Sequence, residues 1–156
     1  RTVNVAINEE AQKSELAGLV PIAGSWCVET SQVSPYVSFD NDTSSVWSAP
    51  GNGAWIIWEL PYEADIKGFI YDSNRTLSDR QYLFDLYYSV DGNEYELLYS
   101  GASNMDGSKP LAVNLPKSVK AKYFKWVGRD NTKQTGWNNV NEMQFYEQKI
   151  ELNRVK

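Results

Sequence analysis

The sequence predicts an all-β sandwich or barrel. Three observations carry that expectation: short segments in which apolar and polar residues alternate, turn signals at near-regular spacing between them, and almost no helical periodicity. Ser25–Gln32 reads as the first clear strand, with Trp26, Val28 and Thr30 on one face. A polar loop follows, and then Pro50-Gly51-Asn52-Gly53, a turn by composition. In Trp55–Leu60 the side chains of Ile56, Trp58 and Leu60 share one side, and Trp55, Ile57 and Glu59 the other. Ile66–Tyr71 reads as a separate strand, and Asp72–Arg80 as a polar loop. Phe84, Leu86, Tyr88 and Val90 then alternate with polar neighbours, which is the period of a half-buried strand. Asp91-Gly92 is a hairpin turn, since glycine takes positive φ without steric cost. Tyr95, Leu97 and Tyr99 are the return. Leu111–Leu115 and Tyr123–Val127 are two further strands, Gly128–Asn139 reads as a long polar loop, and Met143–Tyr146 closes the sheet.

The 156 residues suffice for one domain with a substantial core. Residues 1–18 read as an N-terminal extension or linker, 19–147 as the sandwich, and 148–156 as a charged, peripheral tail. A chain that opens at Arg1 rather than Met reads as an excised or processed piece. The net charge of −5 opposes a nucleic-acid footprint and an anionic membrane surface, both of which need clustered Lys and Arg. The single cysteine, Cys27, rules out an internal disulfide. The chain has no histidine, which removes Ser-His-Asp and Cys-His nucleophiles and most zinc sites. A carboxylate pair of the glycosidase type stays formally open.

One stretch stands apart in composition. Asp40-Asn41-Asp42-Thr43-Ser44-Ser45 places two carboxylates, an amide and three hydroxyls in six residues, ahead of Trp47. Such side chains favour tight turns, because they bond their own backbone. They are also hard oxygen donors of the kind a cation takes. The residues alone leave both readings open.

The order of segments resembles the discoidin, or coagulation factor 5/8 type C, family, also known as family 32 carbohydrate-binding modules. Ser25–Ser31, Phe39–Trp47, Trp55–Leu60, Tyr88–Tyr95, Ala121–Trp126 and Asn141–Tyr146 are similar to that family's motifs, in its order. The resemblance implies an eight-stranded antiparallel jelly-roll sandwich, galactose-binding-domain-like, with binding loops at one end. It also implies a structural Ca2+ held by Asp40 and Glu142, with the carbonyls of Val37, Asp42, Ser45 and Asn141. Asn41 stands where the family usually has glycine, and asparagine is the next most tolerant residue of a left-handed turn.

For a sugar, the resemblance points to an Arg and an Asn from one loop and an aromatic ring from another. Asn74, Arg75 and Arg80 fit the first; Arg129, Asn131, Trp137 and Asn138 fit the second. Trp137, between Gly136 and Asn138 in a polar stretch, reads as a ligand platform. Trp26, Trp47, Trp58 and Trp126 read as packing, and Trp55 fits either role. Arg129-Asp130 reads equally as a solvated local pair. Ser48 stands where many galactose-binding members carry histidine, which counts against terminal galactose. Arginines in the mouth loops of an acidic chain favour an acidic sugar, because guanidinium matches a carboxylate with two parallel bonds. The expectation is therefore a non-catalytic module of a secreted or surface bacterial protein, joined to further domains and binding a glycan. Neither nucleic acid nor membrane is expected as a partner. The alternative is an adhesion module for protein or phospholipid.

Overall fold

The computed structural model describes residues 27–30, 47–74 and 76–151. Eight strands lie among them: β1 (Cys27–Thr30), β2 (Trp47–Pro50), β3 (Trp55–Asp72), β4 (Tyr82–Ser89), β5 (Glu96–Ala102), β6 (Leu111–Asn131), β7 (Trp137–Val140) and β8 (Glu142–Tyr146). All pairings are antiparallel. One sheet runs β1-β3-β6-β4-β5 with β8 also on β3, and β2 pairs β7 in a separate ribbon.

The two segments expected on either side of Pro61 form a single strand, as do the two on either side of Pro116. An 18-residue strand drawn straight would span about 60 Å, too long for this domain. Instead β3 turns back on itself, and ring contacts prove it. Trp126 is the register partner of Ile56 near the start of β3, yet its ring lies 5.7 Å from Tyr71 at the far end. Phe124, opposite Trp58, stacks at 3.9 Å on Phe145, which is opposite Phe69. The corners fall at register shifts, between Glu59 and Ala64 on β3. Proline has no N–H to give a ladder, so it is tolerated at such corners.

The folded-over halves are the two layers of a jelly-roll sandwich. The aromatic core between them includes Trp47, Trp58, Trp126, Tyr71, Phe69, Phe84, Phe124 and Phe145, all under 2% exposed. Fully burying one such ring stabilises by roughly 1.5–3 kcal/mol. The inward positions of β3 are Ile56, Trp58 and Leu60, as the alternation indicates. Trp26 lies outside the described residues.

The structure refines three local readings. The return through Leu97 and Tyr99 does not keep to one face. A register shift between Leu86 and Tyr87 inserts a residue, so Tyr99 packs on Phe69 and Phe84 while Leu97 is 55% exposed. The long loop expected at Gly128–Asn139 is mostly strand. β6 continues to Asn131, and Trp137–Val140 is β7, paired residue for residue with β2. The stretch after β8 is seated at Ile150, which is buried and exchanges two hydrogen bonds with the Asn114 amide.

Candidate functional site

Because β3 and β6 fold over, the start and end of β3 lie at one end of the sandwich. That end gathers the β2–β3 turn (51–54), the β3–β4 loop (73–81), the β5–β6 loop (103–110) and the β6–β7 loop (132–136). The loops are laced to one another. Gly51 N donates to Gly136 O, Thr132 N to Gln81 O, and Gln81 N to the Thr132 hydroxyl. Gln81 Nε2 donates to Ser103 O, and Gly107 N to the Ser78 hydroxyl.

The β2–β7 ribbon supplies one face of this mouth. Its strands alternate, so Trp47, Ala49, Asn138 and Val140 point to the core while Ser48, Pro50, Trp137 and Asn139 point the other way. Trp137 ends the row and is 47% exposed, a large apolar ring held beside Pro50. Two residues along, about 6.8 Å away, is Asn139. Its Nδ2 donates to the Tyr82 hydroxyl at 2.8 Å, and its Oδ1 accepts from Ser48 at 2.7 Å. Its carbonyl accepts from the Tyr71 hydroxyl. Burial lifts both phenols above their ordinary value, Tyr71 strongly, while Arg80 pulls Tyr82 the other way. The row therefore runs from Trp137 through Asn139 to Tyr82, whose hydroxyl faces Arg80 and Asn74.

Arg80 grips its neighbour Asp79 side-on, Nε to Oδ1 at 2.8 Å and Nη2 to Oδ2 at 3.3 Å. Lys133 Nζ reaches the same carboxylate at 4.0 Å. Hydrogen bonding from Arg80 holds the Asp79 carboxyl below its ordinary value and raises the guanidinium in turn. One anion thus serves two cations, leaving a unit of positive charge on an otherwise acidic chain. Asn74 caps its own loop, its Oδ1 accepting from the N–H and hydroxyl of Thr76. The loop rests on Gly107, where an added Cβ would meet the carbonyls of Asn74 and Leu77 at 2.1 Å.

An F5/8 type C domain model matches residues 21–143. The chain belongs to the F5/8 type C domain family. No curated protein matches it. Solved structures share the fold of this F5/8 type C domain. One is the family 32 module of AlyQ in complex with 4,5-unsaturated mannuronic acid: 19% identical, TM-score 0.69, covering 83% of this chain and 96% of that one. A pectin-binding carbohydrate-binding module is 22% identical with a TM-score of 0.68, over 75% and 86% of the two chains. The family 32 module of NanJ from C. perfringens, in complex with galactose, is 11% identical with a TM-score of 0.67, over 83% and 98%.

The F5/8 type C domain divides the expected sugar residues into three groups. Asn74, Arg80 and Trp137 stand around the Asn139–Tyr82 network. Arg129 stands at the edge of that end, its Nη1 donating to Asn52 Oδ1 of the β2–β3 turn at 3.4 Å. Its Nε pairs with Asp85 at 2.9 Å, the Asp85 carboxylate also accepting from Ser100. Arg75 lies outside the described residues. Asn131 and Asn138, expected at the sugar, are buried and bonded within the scaffold. Asn138 is fully buried, accepting from Asp130 N at 2.8 Å and donating to the carbonyls of Ala49 and Gly51. Asn131, 2% exposed, donates to Thr135 Oγ1 and Trp137 O and accepts from Lys133 N. Both hold the bend that presents Trp137, where Asp130 takes a φ of 68° and its carboxylate accepts from Gly136 N. Tyr82, Asn139 and Lys133 join the site only through the tertiary fold. No sequence motif marks them, and Asn139 is placed there by its pairing with Ser48.

Of the expected cation ligands, Asn141 and Glu142 are described, and Val37, Asp40, Asp42 and Ser45 lie outside the described residues. Glu142 is 6% exposed and stands in register opposite Asp72, 2% exposed. Side chains so paired have Cβ atoms about 4.5–5.5 Å apart. Two buried carboxylates in register are hard oxygen donors. Among the described residues no group of three or more acidic, thiol or imidazole side chains gathers as a metal site.

Proposed function

We propose that this domain is a non-catalytic carbohydrate-binding module whose ligand lies on the Trp137 face, with an acidic sugar, a uronate, as the ligand class. One observation carries the reading. An exposed indole stands on the same ribbon face as a polar network that ends at Arg80, with Lys133 alongside. A pyranose presents an apolar face to a ring and hydroxyls to planar polar groups, and binding sites of this kind combine a few polar anchors with an apolar wall. Arg80 and Lys133 share Asp79, so their combined charge is incompletely neutralised and suits a ligand carboxylate. Arg129 adds less, its charge being met by Asp85 while it braces Asn52 of the β2–β3 turn. The mannuronic acid and pectin named for the similar structures support a uronate.

We further read Asn141 and Glu142, with Asp72 beside them, as the described part of a calcium clasp that Val37, Asp40, Asp42 and Ser45 complete. Calcium would tie the segment that holds Asp40 to β8 through carboxylate and carbonyl oxygens. The role is structural. A binding module of this type belongs on a secreted or surface bacterial protein, joined to further domains.

Affinity electrophoresis in gels containing polygalacturonate, polymannuronate or a neutral galactan tests the function. The uronate gels are expected to retard the chain and the neutral gel not. Trp137→Ala is expected to abolish retardation with an unchanged circular dichroism spectrum. Retardation by neutral glycan alone removes the uronate, and persistent binding by Trp137→Ala misplaces the site. Capture by anionic vesicles in place of glycan returns the adhesion alternative.

A further inference from the structure

We propose that Tyr82 closes, with Arg80 and Asn74, a donor-only pocket that takes an ionised uronate carboxylate and turns away its methyl ester. The proposal deepens the uronate reading of the Trp137 face and rests on it. Tyr82 is 2% exposed, and its hydroxyl accepts from Asn139 Nδ2 at 2.8 Å. Ser48 fixes the sense of that amide by donating to its Oδ1 at 2.7 Å, so the end that meets Tyr82 is a donor. The phenol keeps its own proton to give, and among the described residues no oxygen accepts it. Burial raises the phenol, so that proton stays in place at neutral pH. A buried donor left unspent is a cost that a ligand oxygen removes. The hydroxyl faces Arg80 and Asn74, where the β3–β4 loop enters β4.

Those two neighbours present donors as well. Arg80 spends Nε and Nη2 on Asp79, which leaves Nη1 over. Asn74 turns its Oδ1 to the N–H and hydroxyl of Thr76, so its Nδ2 is the end toward Tyr82. Lys133 Nζ, 4.0 Å from Asp79, adds a second cation to the one anion. The acceptors at this spot already carry bonds: Asp79 from Arg80, Asn74 Oδ1 from Thr76 and Asn139 Oδ1 from Ser48. A sugar hydroxyl brings a proton that needs an acceptor of its own. An ionised carboxylate brings acceptors only, two oxygens with about four lone-pair sites. Methylation removes the charge and puts a methyl group where one of those oxygens met a donor. A site built from donors rejects such an analogue, because its own polar groups are then left unpaired.

The test is isothermal titration calorimetry of the full chain with trigalacturonic acid and with its trimethyl ester. The unaltered chain is expected to bind the acid at least about tenfold more tightly than the ester. Tyr82→Phe removes only the hydroxyl. Affinity for the acid should then fall about tenfold, while affinity for the ester, held by Trp137 and its own hydroxyls, stays within about twofold. Unchanged affinity for the acid in Tyr82→Phe overturns the proposal. So does an equal loss for both probes, which is what a hydroxyl acting only on the fold through Asn139 would give. If circular dichroism shows Tyr82→Phe unfolded, Arg80→Gln takes its place with the same expectation, and equal loss for both probes again overturns the pocket. Acid and ester bound alike by the unaltered chain overturn the pocket and leave the uronate reading standing. Binding of neither probe removes the uronate reading and the pocket with it.

Discussion

Asn138 offers the sharpest separation between a ligand-contacting and a scaffolding role, and its truncation can be worked through from the structure. In Asn138→Ala three hydrogen bonds of a fully buried side chain disappear. Asp130 N, half-buried, loses its 2.8 Å acceptor, at a cost of up to about 1–3 kcal/mol. The carbonyls of Ala49 and Gly51 each lose a donor, although Gly51 O keeps the bond from Ala54 N. Those two losses weigh roughly 0.5–1.5 kcal/mol each. The sum is about 2–6 kcal/mol, before any cavity is counted. For a domain of this size that lowers the melting temperature by about 4–24 °C, at roughly 2–4 °C per kcal/mol. Differential scanning calorimetry measures it directly. Neighbouring Gly128 gives an internal check. A Cβ there would sit 2.3 Å from Asn138 Oδ1, so Gly128→Ala should destabilise as well. In the double variant Gly128→Ala/Asn138→Ala the contacts with the amide are gone and only the Cβ of residue 138, 2.7 Å away, still crowds the new methyl, so the total should fall short of the sum of the singles by at least about 0.5 kcal/mol. A melting temperature within about 2 °C of the parent, combined with lost glycan affinity, would refute the scaffold assignment and restore Asn138 as a ligand contact.

Other consequences follow from the same geometry. Trp137→Ala should leave the melting temperature within about 2 °C, since the ring is half exposed, and should weaken polyuronate binding at least about tenfold in a titration. Gly107→Ala would drive a methyl into the carbonyls of Asn74 and Leu77, displacing the β3–β4 loop, so glycan affinity should fall more than stability does. Lys133→Gln should remove part of the salt dependence of uronate binding while leaving binding of any neutral sugar unchanged, measured by titration at two ionic strengths. Alkaline stability supplies a prediction with a definite sign. Burial raises the Tyr71 and Tyr82 phenols in the folded chain. The unfolded chain therefore releases these protons first, near pH 10, while the native state still holds them. Stability should then fall as pH rises above about 10, by up to about 1.4 kcal/mol per pH unit for each phenol. Tyr71→Phe should flatten that fall in urea melts taken across pH 9–11, and an unchanged slope would contradict the buried placement.

Fold class and most of the strands were legible in the sequence because alternation reports which side of a strand is buried. Ile56, Trp58 and Leu60 on β3 are plain cases, and Trp47, Trp58 and Trp126 are core as their settings indicated. The strand at Trp137–Val140 escaped because three asparagines and glycine nearby look like loop. Its asparagines are buried all the same, since each amide meets backbone or side-chain partners that only the fold delivers. The one-residue shift that exposes Leu97 was likewise invisible, because alternation within one strand carries no record of its pairing register.

The site divides along the same line. The sequence by itself determined that the chain is an all-β F5/8 type C domain. It also fixed the absence of histidine, and marked Trp137 as a ring in polar surroundings and Arg80 as a cation in a mouth loop. Which of these meet was decided by the tertiary structure. Folding β3 and β6 back across the core sets residues far apart in the chain at one end. There Asn139 bonds Tyr82, Lys133 joins Arg80 on Asp79, and Glu142 stands in register with Asp72, while Arg129 is drawn to Asp85 and Asn52. Local pattern records burial and turn preference at each position. Long-range contacts arise from strand register and from the corners at Pro61 and Pro116, so they exist only once the sandwich has closed.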